Sequence, residues 1–328
     1  MKVVITGGTG FIGRMLAGRI LARGTLTGPS GKPEPVDELV LFDAVAPPSL
    51  PAALAGRVAV VAGDVADRPT VDALIDRDDI AVFHLASIVS GGAEADFDLA
   101  MRVNLVGGYN VLEACRRRQG APRLVFASSI AVFGAPAMAS RVDDLTKETP
   151  QTTYGMTKAV TELLVNDYTR KGFIDGRSAR LPTVIVRPGK PNKAASSFVS
   201  GVIREPLNGE PCTLPVGLDT VMPVLGFRSI VENLIRLHEV PGEAIGADRA
   251  VGFPSLDLSL RAMVEGLKRC AGGRKLGPIE VKPDAAIARI VAGWASGTGW
   301  AKAKALGLVV DPDVDSIIRA YIEEFLDA

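Results

Sequence analysis

Two side chains near the middle of the chain, Tyr154 and Lys158, are of types that together can move a proton. An isolated tyrosine has a pKa of about 10 and is a poor base at neutral pH, but a nearby cation favours the phenolate. Residues four positions apart lie on one face of a helix, so the ammonium group is expected beside the phenol. Taken alone, such a pair is more often an ordinary surface pair, so its interpretation depends on what lies near it.

A serine pair, Ser128 and Ser129, follows a strand predicted at 124–127. Parallel sheets bind ligands beyond the carboxyl ends of their strands, so these hydroxyl groups are expected at a ligand site. Ser129 would there donate a hydrogen bond to the reacting oxygen and stabilise its developing charge. Because serine is common in loops after strands, the pair by itself is weak evidence.

Three glycines, Gly7, Gly10 and Gly13, separate a short apolar strand predicted at 3–5 from a helix predicted at about 12–22. The first glycine permits a sharp turn, the second lets a pyrophosphate approach, and the third lets the helix pack closely. The amino end of the helix then faces the phosphates with its N–H groups. A glycine-rich turn without a ligand is the alternative. With the tyrosine, this turn predicts hydride transfer between a dinucleotide and a substrate hydroxyl or carbonyl group.

Two acidic residues end the second and third predicted strands, Asp43 and Asp64. A carboxylate at Asp43 would accept hydrogen bonds from the adenosine ribose and repel a 2′-phosphate, which favours NAD over NADP. The alternative for Asp43 is a turn residue at a strand end. Asp64 is interpreted as an adenine contact together with the Val65 amide, and a helix cap or turn is a nearly equal alternative.

Apolar strands alternate with helical patterns through the first half of the chain, which predicts an α/β fold with a doubly wound parallel sheet of the Rossmann type. Residues 24–35 are turn formers and are predicted to be an exposed loop. The other predicted strands are 39–42, 58–62, 80–85, 124–127 and 184–186, and the other predicted helices are 67–77, 96–118 and 154–171.

This alternation stops after Pro188. We therefore predict a dinucleotide-binding domain at 1–188 and a smaller, mainly substrate-binding domain at 189–328, with 226–240 packing back on the first domain. Helices are predicted near 228–238, 257–270, 284–295 and 313–326.

The composition argues against several classes of protein. The 328 residues include 37 Lys plus Arg and 37 Asp plus Glu, so no basic surface for nucleic acid or a membrane is predicted. No apolar run approaches the ~20 residues that cross a bilayer, and no signal peptide is evident, which indicates a cytoplasmic protein. Cys115, Cys212 and Cys270 are predicted to be free thiols. Neither His84 nor His238 lies near a cysteine in sequence, so no metal site is predicted.

Together these features resemble the extended short-chain dehydrogenase/reductase superfamily, which includes NAD-dependent sugar epimerases and dehydratases. The similar segments are residues 6–13, 84–87, 104–113 and 128–134, with the Tyr154–Lys158 pair. The resemblance covers essentially the whole chain and implies that Ser129, Tyr154 and Lys158 are catalytic. It also implies a homodimer through the long helices at 96–118 and 154–171. The implied cofactor-binding residues are Gly7, Gly10, Phe11, Ile12, Gly13, Asp43, Asp64, Val65, Leu85, Ala86, Ser87, Asn104, Tyr154 and Lys158.

Within this superfamily, residues 180–198 are similar to NAD-dependent enzymes that oxidise a four-carbon sugar acid at C2. An acid substrate needs a cation for its carboxylate, and Arg187, Lys190 and Lys193 follow the strand predicted at 184–186. Each is also compatible with ordinary loop charge. The predicted substrate-binding residues are Ser87, Ser129, Tyr154, Arg187, Lys190 and Lys193.

Two other functions stay open. The first is a sugar-nucleotide epimerase that regenerates NAD in each cycle. Residues 215–223, where such enzymes usually carry a basic, glycine-rich stretch, are apolar and include Asp219, which argues against a diphosphate ligand, although Arg228 keeps it possible. The second is a dinucleotide sensor without activity, and the Ser129, Tyr154 and Lys158 set argues against it.

Overall fold

The computed structural model of the chain describes residues 1–134, 140–189 and 196–326. The contacts within it divide the chain into two compact units. Unit 1 comprises Met1–Ser129, Thr152–Arg180 and Val231–Val251, and unit 2 comprises Ile130–Gln151, Leu181–Ile230 and Gly252–Ala328.

The elements follow one another as α/β units in the first half and less regularly afterwards. The strands are β1 (Lys2–Thr6), β2 (Thr25–Thr27), β3 (Pro33–Pro35), β4 (Glu38–Asp43), β5 (Ala59–Ala62), β6 (Ile80–His84), β7 (Arg123–Ser129), β8 (Arg141–Asp143), β9 (Asp175–Leu181), β10 (Thr183–Ile185), β11 (Cys212–Leu214), β12 (Val221–Gly226), β13 (Ala250–Gly252), β14 (Leu256–Ser259), β15 (Ile279–Val281) and β16 (Gly297–Gly299). The helices are α1 (Phe11–Arg23), α2 (Arg68–Leu74), α3 (Ser90–Ala95), α4 (Phe97–Ala100), α5 (Gly107–Arg116), α6 (Thr153–Arg170), α7 (Ser197–Leu207), α8 (Phe227–Glu239), α9 (Gly242–Ile245), α10 (Leu260–Cys270), α11 (Ala285–Ala292), α12 (Ala301–Ala305) and α13 (Val314–Phe325).

The sheet of unit 1 has seven strands in the order β13-β9-β7-β6-β1-β4-β5. Strand β1 pairs in parallel with β4 and β6, and every residue of β1 and β6 is buried. Such continuous apolar strands are typical of parallel sheets with both faces covered. The predicted doubly wound α/β fold is confirmed.

The long helix predicted at 96–118 is a helical run from α4 to α5 that includes a π-helical segment at Met101–Val106. A π-helical turn inside an α-helix often marks a functional site because it redirects side chains. Here the segment contains Asn104, which is buried. The second long helix, predicted from residue 154, begins one residue earlier, and Thr152 caps it through the amide of Gly155.

The prediction of an exposed loop at 24–35 is wrong. These residues form an antiparallel hairpin of β2 and β3, in which Leu26 and Thr27 are buried. The turn formers between the two strands make the hairpin turn, while the short paired segments carry too little apolar character to be recognised. The hairpin is anchored because Glu239 accepts a hydrogen bond from the amide of Thr27 at 2.9 Å.

The prediction that residues 184–186 form the sixth strand of the parallel sheet is also wrong. That strand is β10, which lies in a three-stranded sheet of unit 2 in the order β10-β12-β14. The position beside β7 in the large sheet is taken by β9, whose sequence DGRSARL is polar. The hydrophobic pattern of the sequence did not predict this strand, because its side chains are polar and their burial depends on partners distant in sequence.

Unit 2 combines small sheets with helices. Strands β11 and β15 pair in parallel, as do β16 and β8, and α10 packs against α13 and α7. Three of the helices predicted in this part of the chain are α10, α11 and α13, although strand β14 replaces the first residues predicted for α10. The domain boundary predicted after residue 188 stays a prediction.

The buried side chains of β9 and its neighbours in unit 1 form a charge cluster. Three arginines that are at most 7% exposed, Arg123, Arg177 and Arg249, surround one carboxylate, Asp175. Arg177 also donates to the carbonyl oxygens of residues 237, 238 and 240 at the carboxyl end of α8. Burial works against the charge of Asp175, but the arginines, Arg177 foremost, hold the pKa of this carboxyl group below its usual value.

We predict that Asp175→Asn lowers the free energy of unfolding by about 3 kcal/mol, because it leaves three buried guanidinium groups without a carboxylate. Urea unfolding measures the change. Asp167→Asn is the matched control, since this aspartate pairs with a single arginine, Arg170, at the surface and exposed pairs contribute at most about 1 kcal/mol. Equal losses in both variants would contradict the prediction.

Candidate functional site

The glycine turn after β1 is shaped by backbone contacts that exclude side chains. Gly7 has a φ of +67°, a left-handed conformation that favours glycine. A Cβ atom on Gly13 would lie 2.5 Å from the carbonyl oxygen of Gly7, and one on Gly8 would lie 2.5 Å from that of Ile5. Gly10 is exposed and has more room. The predicted role of Gly13 in close packing is consistent with this geometry, and Gly8 is a required glycine that the spacing argument missed.

The amino end of α1 suits a phosphate group. Its N-cap, Gly10, provides no side-chain hydrogen bond, and the first turn contains no acidic residue. The predicted cofactor residues Phe11 and Ile12 begin this helix and are half-buried. N–H groups at an uncapped helix end bind anions well, so the residues present fit the pyrophosphate of a dinucleotide.

Asp43 ends β4 beside the glycine turn. Its Oδ2 accepts hydrogen bonds from the Thr9 hydroxyl group at 2.8 Å and from the Thr9 amide at 3.1 Å, and its Oδ1 accepts one from the amide of Ala44 at 2.8 Å. Each carboxylate oxygen has two lone pairs, so one acceptor position remains, on Oδ1, for a ribose hydroxyl group. Thr9, which sequence reasoning passed over, fixes this carboxylate against the turn.

Asp64 follows β5 and is engaged within the protein. Its Oδ1 accepts from the amide of Ala66 at 2.9 Å, and Oδ2 pairs with Arg102. The amide hydrogen bond is the main cause that lowers the pKa of Asp64. The side chain of Asn110 donates to the carbonyl oxygen of Val65 at 3.2 Å. The turn alternative for Asp64 is therefore present in the structure, while its adenine contact stays a prediction.

The segment after β6 lies next to the glycine turn. Its residues Leu85, Ala86 and Ser87 are half-buried. The amide of Leu85 donates to the carbonyl oxygen of Thr6 at 3.0 Å, and the amide of Ala86 donates to the hydroxyl of Thr6 at 3.2 Å. A Cβ atom on Gly7 would lie 2.8 Å from the Ala86 nitrogen. This segment and the glycine turn are therefore in direct contact, as two walls of one dinucleotide site would be.

Asn104 connects this segment to α6. Its Oδ1 accepts from the Ser87 hydroxyl group at 3.2 Å and from the Ile88 amide at 2.7 Å, while its Nδ2 donates to the Ile88 carbonyl at 3.1 Å and to the Thr157 hydroxyl at 3.3 Å. Thr157 donates in turn to the carbonyl oxygen of Tyr154 at 2.9 Å. These contacts use the full hydrogen-bonding capacity of the amide, so Asn104 holds the segment in place. A direct contact between Asn104 and a cofactor stays a prediction.

The Tyr154–Lys158 pair lies in the first two turns of α6. The Nζ atom of Lys158 is 5.4 Å from the ring centroid of Tyr154 and 4.8 Å from that of Phe126. Tyr154 is half-buried, whereas Lys158 is 3% exposed. The start of the helix is further held by Glu94, which accepts from the amide of Thr153 at 2.7 Å. The expected proximity of the ammonium group and the phenol is present.

The ammonium group of Lys158 also binds the end of β7, where Nζ donates to the carbonyl oxygen of Ala127 at 2.7 Å. Burial lowers the pKa of Lys158 to about 7, while the negative charge of Glu162 works to raise it. The loss of water around the ammonium group therefore outweighs the attraction of the carboxylate.

The two serines that end β7 have different environments. Ser128 is 1% exposed, and its hydroxyl group donates to Glu162, whereas Ser129 is half-buried at the end of the strand. Only Ser129 therefore combines accessibility with a position two residues from the carbonyl group that binds Lys158. Glu162 was missed by sequence reasoning, although its spacing from Lys158, again four residues, was a usable signal.

Of the three predicted carboxylate-binding cations, the structure describes Arg187. Arg187 lies in unit 2 and is half-buried; its amide donates to the Ser200 hydroxyl at 3.2 Å, and its carbonyl oxygen accepts from Arg204 at 2.8 Å. Lys190 and Lys193 lie outside the described residues.

Within the described ranges, no group of three or more His, Cys, Asp or Glu residues could hold a metal ion. The cysteines Cys115, Cys212 and Cys270 are free. No described helix is both long enough and apolar enough to cross a membrane.

Known proteins with similar sequences or structures show which family this chain resembles. Residues 3–245 match the model of the NAD dependent epimerase/dehydratase family. The chain is 46% identical to a D-erythronate dehydrogenase of Cupriavidus necator over 99% of this chain and 98% of the relative. It is 39% identical to one of Haemophilus influenzae over 98% of this chain and 99% of the relative.

A crystal structure from Agrobacterium tumefaciens, described as a nucleoside-diphosphate-sugar epimerase, superposes with a TM-score of 0.91 at 37% identity and covers 100% of this chain and 95% of that one. The family match, the full-length relatives and the arrangement of Tyr154, Lys158 and the glycine turn lead to one assignment. The chain belongs to the NAD dependent epimerase/dehydratase family.

Proposed function

We propose that this protein is an NAD-dependent dehydrogenase that oxidises D-erythronate at C2 to 2-keto-D-erythronate. The observation that carries this proposal is the position of the Lys158 ammonium group, 5.4 Å from the ring centroid of Tyr154 and bound to the strand that ends in Ser129. Relatives named D-erythronate dehydrogenase at 46% and 39% identity over nearly the whole chain support this substrate.

In the proposed mechanism, Tyr154 as phenolate removes the proton from the substrate hydroxyl group. Lys158 keeps the phenolate poised through its nearby positive charge. Ser129 donates a hydrogen bond to the same substrate oxygen and stabilises its charge. When NAD is bound, it supplies the hydride acceptor.

NAD is proposed to bind along Gly7, Gly10, Gly13, Asp43 and the residues after β6. Asp43 disfavours NADP because a fixed carboxylate would repel a 2′-phosphate. The remaining proposed contacts are Phe11, Ile12, Asp64, Val65, Leu85, Ala86, Ser87, Asn104, Tyr154 and Lys158.

A sugar acid also needs a cation, and Arg187 is the proposed carboxylate-binding residue among the three candidates. A guanidinium group offers two parallel hydrogen bonds that match a carboxylate. Ser87 and Ser129 are proposed to bind the hydroxyl groups of the substrate. On this proposal, residues 1–188 mainly bind the cofactor and residues 189–328 mainly bind the substrate.

The main alternative is a nucleotide-sugar epimerase, which the description of the Agrobacterium structure favours. An epimerase regenerates NAD in each cycle, whereas a dehydrogenase accumulates NADH. Net NADH formation therefore separates the two functions.

A homodimer through the two long helices is also proposed. Several large apolar side chains on these helices are exposed: Val106 by 46%, Tyr109 by 42% and Leu163 by 63%. Apolar side chains grouped on one part of a surface often mark an interface. The same proposal places the protein in the cytoplasm.

We predict that the protein reduces NAD to NADH in a 1:1 ratio with the D-erythronate consumed. Tyr154→Phe removes the ionisable hydroxyl group and should lower kcat at least about 100-fold, the lower range of a general base, with little change in the dissociation constant of NAD. Absorbance of NADH and calorimetric NAD titration measure the two effects. An active Tyr154→Phe variant would reject the role of this residue, and turnover of a nucleotide sugar without net NADH would support the epimerase.

We predict that Arg187→Ala raises KM for D-erythronate about 10- to 100-fold, because a charge-assisted hydrogen bond contributes about 1.5–3 kcal/mol. Steady-state kinetics measure this change. Arg228→Ala is the control, since Arg228 pairs with Glu323 at 2.9 Å and Glu324 at 3.0 Å; it should leave KM unchanged. An unchanged KM in Arg187→Ala would exclude this residue as the carboxylate-binding group.

We predict a dimer in solution that Leu163→Glu converts to a monomer, because a buried, unpaired carboxylate destabilises an apolar interface. Light scattering after size exclusion measures the mass. Leu145→Glu is the matched control, since Leu145 is 94% exposed and lies outside both long helices. A monomeric unsubstituted protein, or a Leu163→Glu variant that stays dimeric, would contradict the proposed interface.

A further inference from the structure

Glu162 is a buried carboxylate for which the proposed mechanism has no use. It is 2% exposed and lies on α6, four residues after Lys158. Arg180, which is 6% exposed on β9, donates to it from Nε at 3.1 and 3.0 Å and from a terminal nitrogen at 2.7 Å. Ser128 on β7 completes its surroundings with a hydroxyl donor. A buried charge costs free energy unless it is paired and hydrogen-bonded, and this one is both.

Two neighbouring side chains of α6 thus bind neighbouring residues of β7. Lys158 binds the carbonyl oxygen of Ala127, and Glu162 binds the hydroxyl group of Ser128. The next residue of the strand is Ser129. The carboxylate and the ammonium group therefore lie one helical turn apart on α6 and bind consecutive residues of β7, the strand that ends in Ser129.

The charged groups around Lys158 influence how much of this side chain is protonated at neutral pH. On its own helix, Tyr154 and Glu162 are its ionisable neighbours, and His84 approaches from β6. Burial and the charge of Lys158 both lower the pKa of His84, to about 3, so this histidine is neutral and adds no positive charge. Strand β7 provides a carbonyl oxygen and the ring of Phe126. The negative charge that opposes the cost of burying the ammonium group is therefore that of Glu162.

We propose that Glu162, held by Arg180 and Ser128, is a positioning residue that keeps Lys158 charged and thereby sets the pH at which Tyr154 becomes a base. The inference rests on the proposed function for its catalytic meaning. Without the carboxylate, Lys158 loses its proton at lower pH. Tyr154 then ionises beside a neutral amine, so the phenolate forms only at higher pH.

The test is the pH dependence of kcat for NAD reduction by D-erythronate in Glu162→Gln, measured across the neutral and alkaline range. The midpoint of the rise should move about one pH unit upward and kcat at pH 7 should fall about tenfold, with recovery toward the unsubstituted rate in alkali. A kcat that falls equally at every pH, or an unmoved midpoint, would overturn the proposal.

Two matched variants separate charge from packing. Glu113→Gln changes a comparably buried glutamate that accepts two hydrogen bonds from Arg116 and one from Tyr168, and its midpoint should stay in place. Ser128→Ala removes the hydroxyl donor but keeps the carboxylate and its pair with Arg180, so its midpoint should move less than that of Glu162→Gln. A shift in either variant as large as that of Glu162→Gln would overturn the proposal.

If Glu162→Gln does not fold, the double variant Glu162→Gln/Arg180→Met removes both charges and should still move the midpoint upward. An unmoved midpoint there would overturn the proposal.

A second measurement needs no substrate. It is an NMR titration of isotopically labelled lysine side chains, in which the Lys158 signal is assigned by its loss in Lys158→Arg. Its pKa should fall by about one unit in Glu162→Gln, and an unchanged pKa would reject the inference. Absence of NADH formation by the unsubstituted protein would instead reject the proposed function.

Discussion

The rest of the site depends on the contacts that the buried ammonium group of Lys158 makes. Removing an ammonium group from water costs several kcal/mol, and here a carbonyl oxygen, two aromatic faces and a carboxylate one turn away offset that cost. Each of these partners belongs to β7 or α6. Satisfying the lysine therefore requires the strand and the helix to lie together, which is the arrangement that proton transfer needs.

The part of the site predicted to bind the cofactor depends on the backbone and not on buried charge. The backbone of the glycine turn packs closely and leaves room for a ligand. A side chain on Gly13 would collide with the turn, and one on Gly8 would collide with β1 and β4. The amino end of α1 is left without a side-chain cap, so its N–H groups suit an anion. Asn104 donates and accepts hydrogen bonds that hold the segment after β6. It also binds Thr157 on α6, the helix that carries Tyr154. One buried amide thus joins the segment after β6 to the helix that carries Tyr154.

Several side chains in the mainly apolar interior of unit 1 are charged. Strand β9 contributes Arg177 and Arg180 to the buried side chains, and each is paired with a carboxylate from the same unit. Burial lowers the pKa of Arg177 to about 10, yet Asp175 and the carbonyl groups at the end of α8 keep it a charged partner. Removing one partner from such a pair is costly, because the other remains buried and uncompensated.

Local patterns determined much of this protein before any tertiary contact was considered. Apolar runs predicted β1, β4, β6 and β7, because strands of a parallel sheet with both faces covered are usually rich in apolar residues. The glycine spacing predicted the tight turn after β1, and the four-residue spacing of Tyr154 and Lys158 predicted their proximity, because a tight turn and a helix period are local properties.

Only the tertiary structure decided the features whose burial depends on distant partners. The polar strand β9 took the place that residues 184–186 were predicted to fill, because its arginines find carboxylates and carbonyl groups elsewhere in the chain. The hairpin of β2 and β3 depends on Glu239 in the same way. The partners of Glu162 come from β7 and β9, so its link to the serine end of the sheet follows from sheet order, which no local pattern encodes.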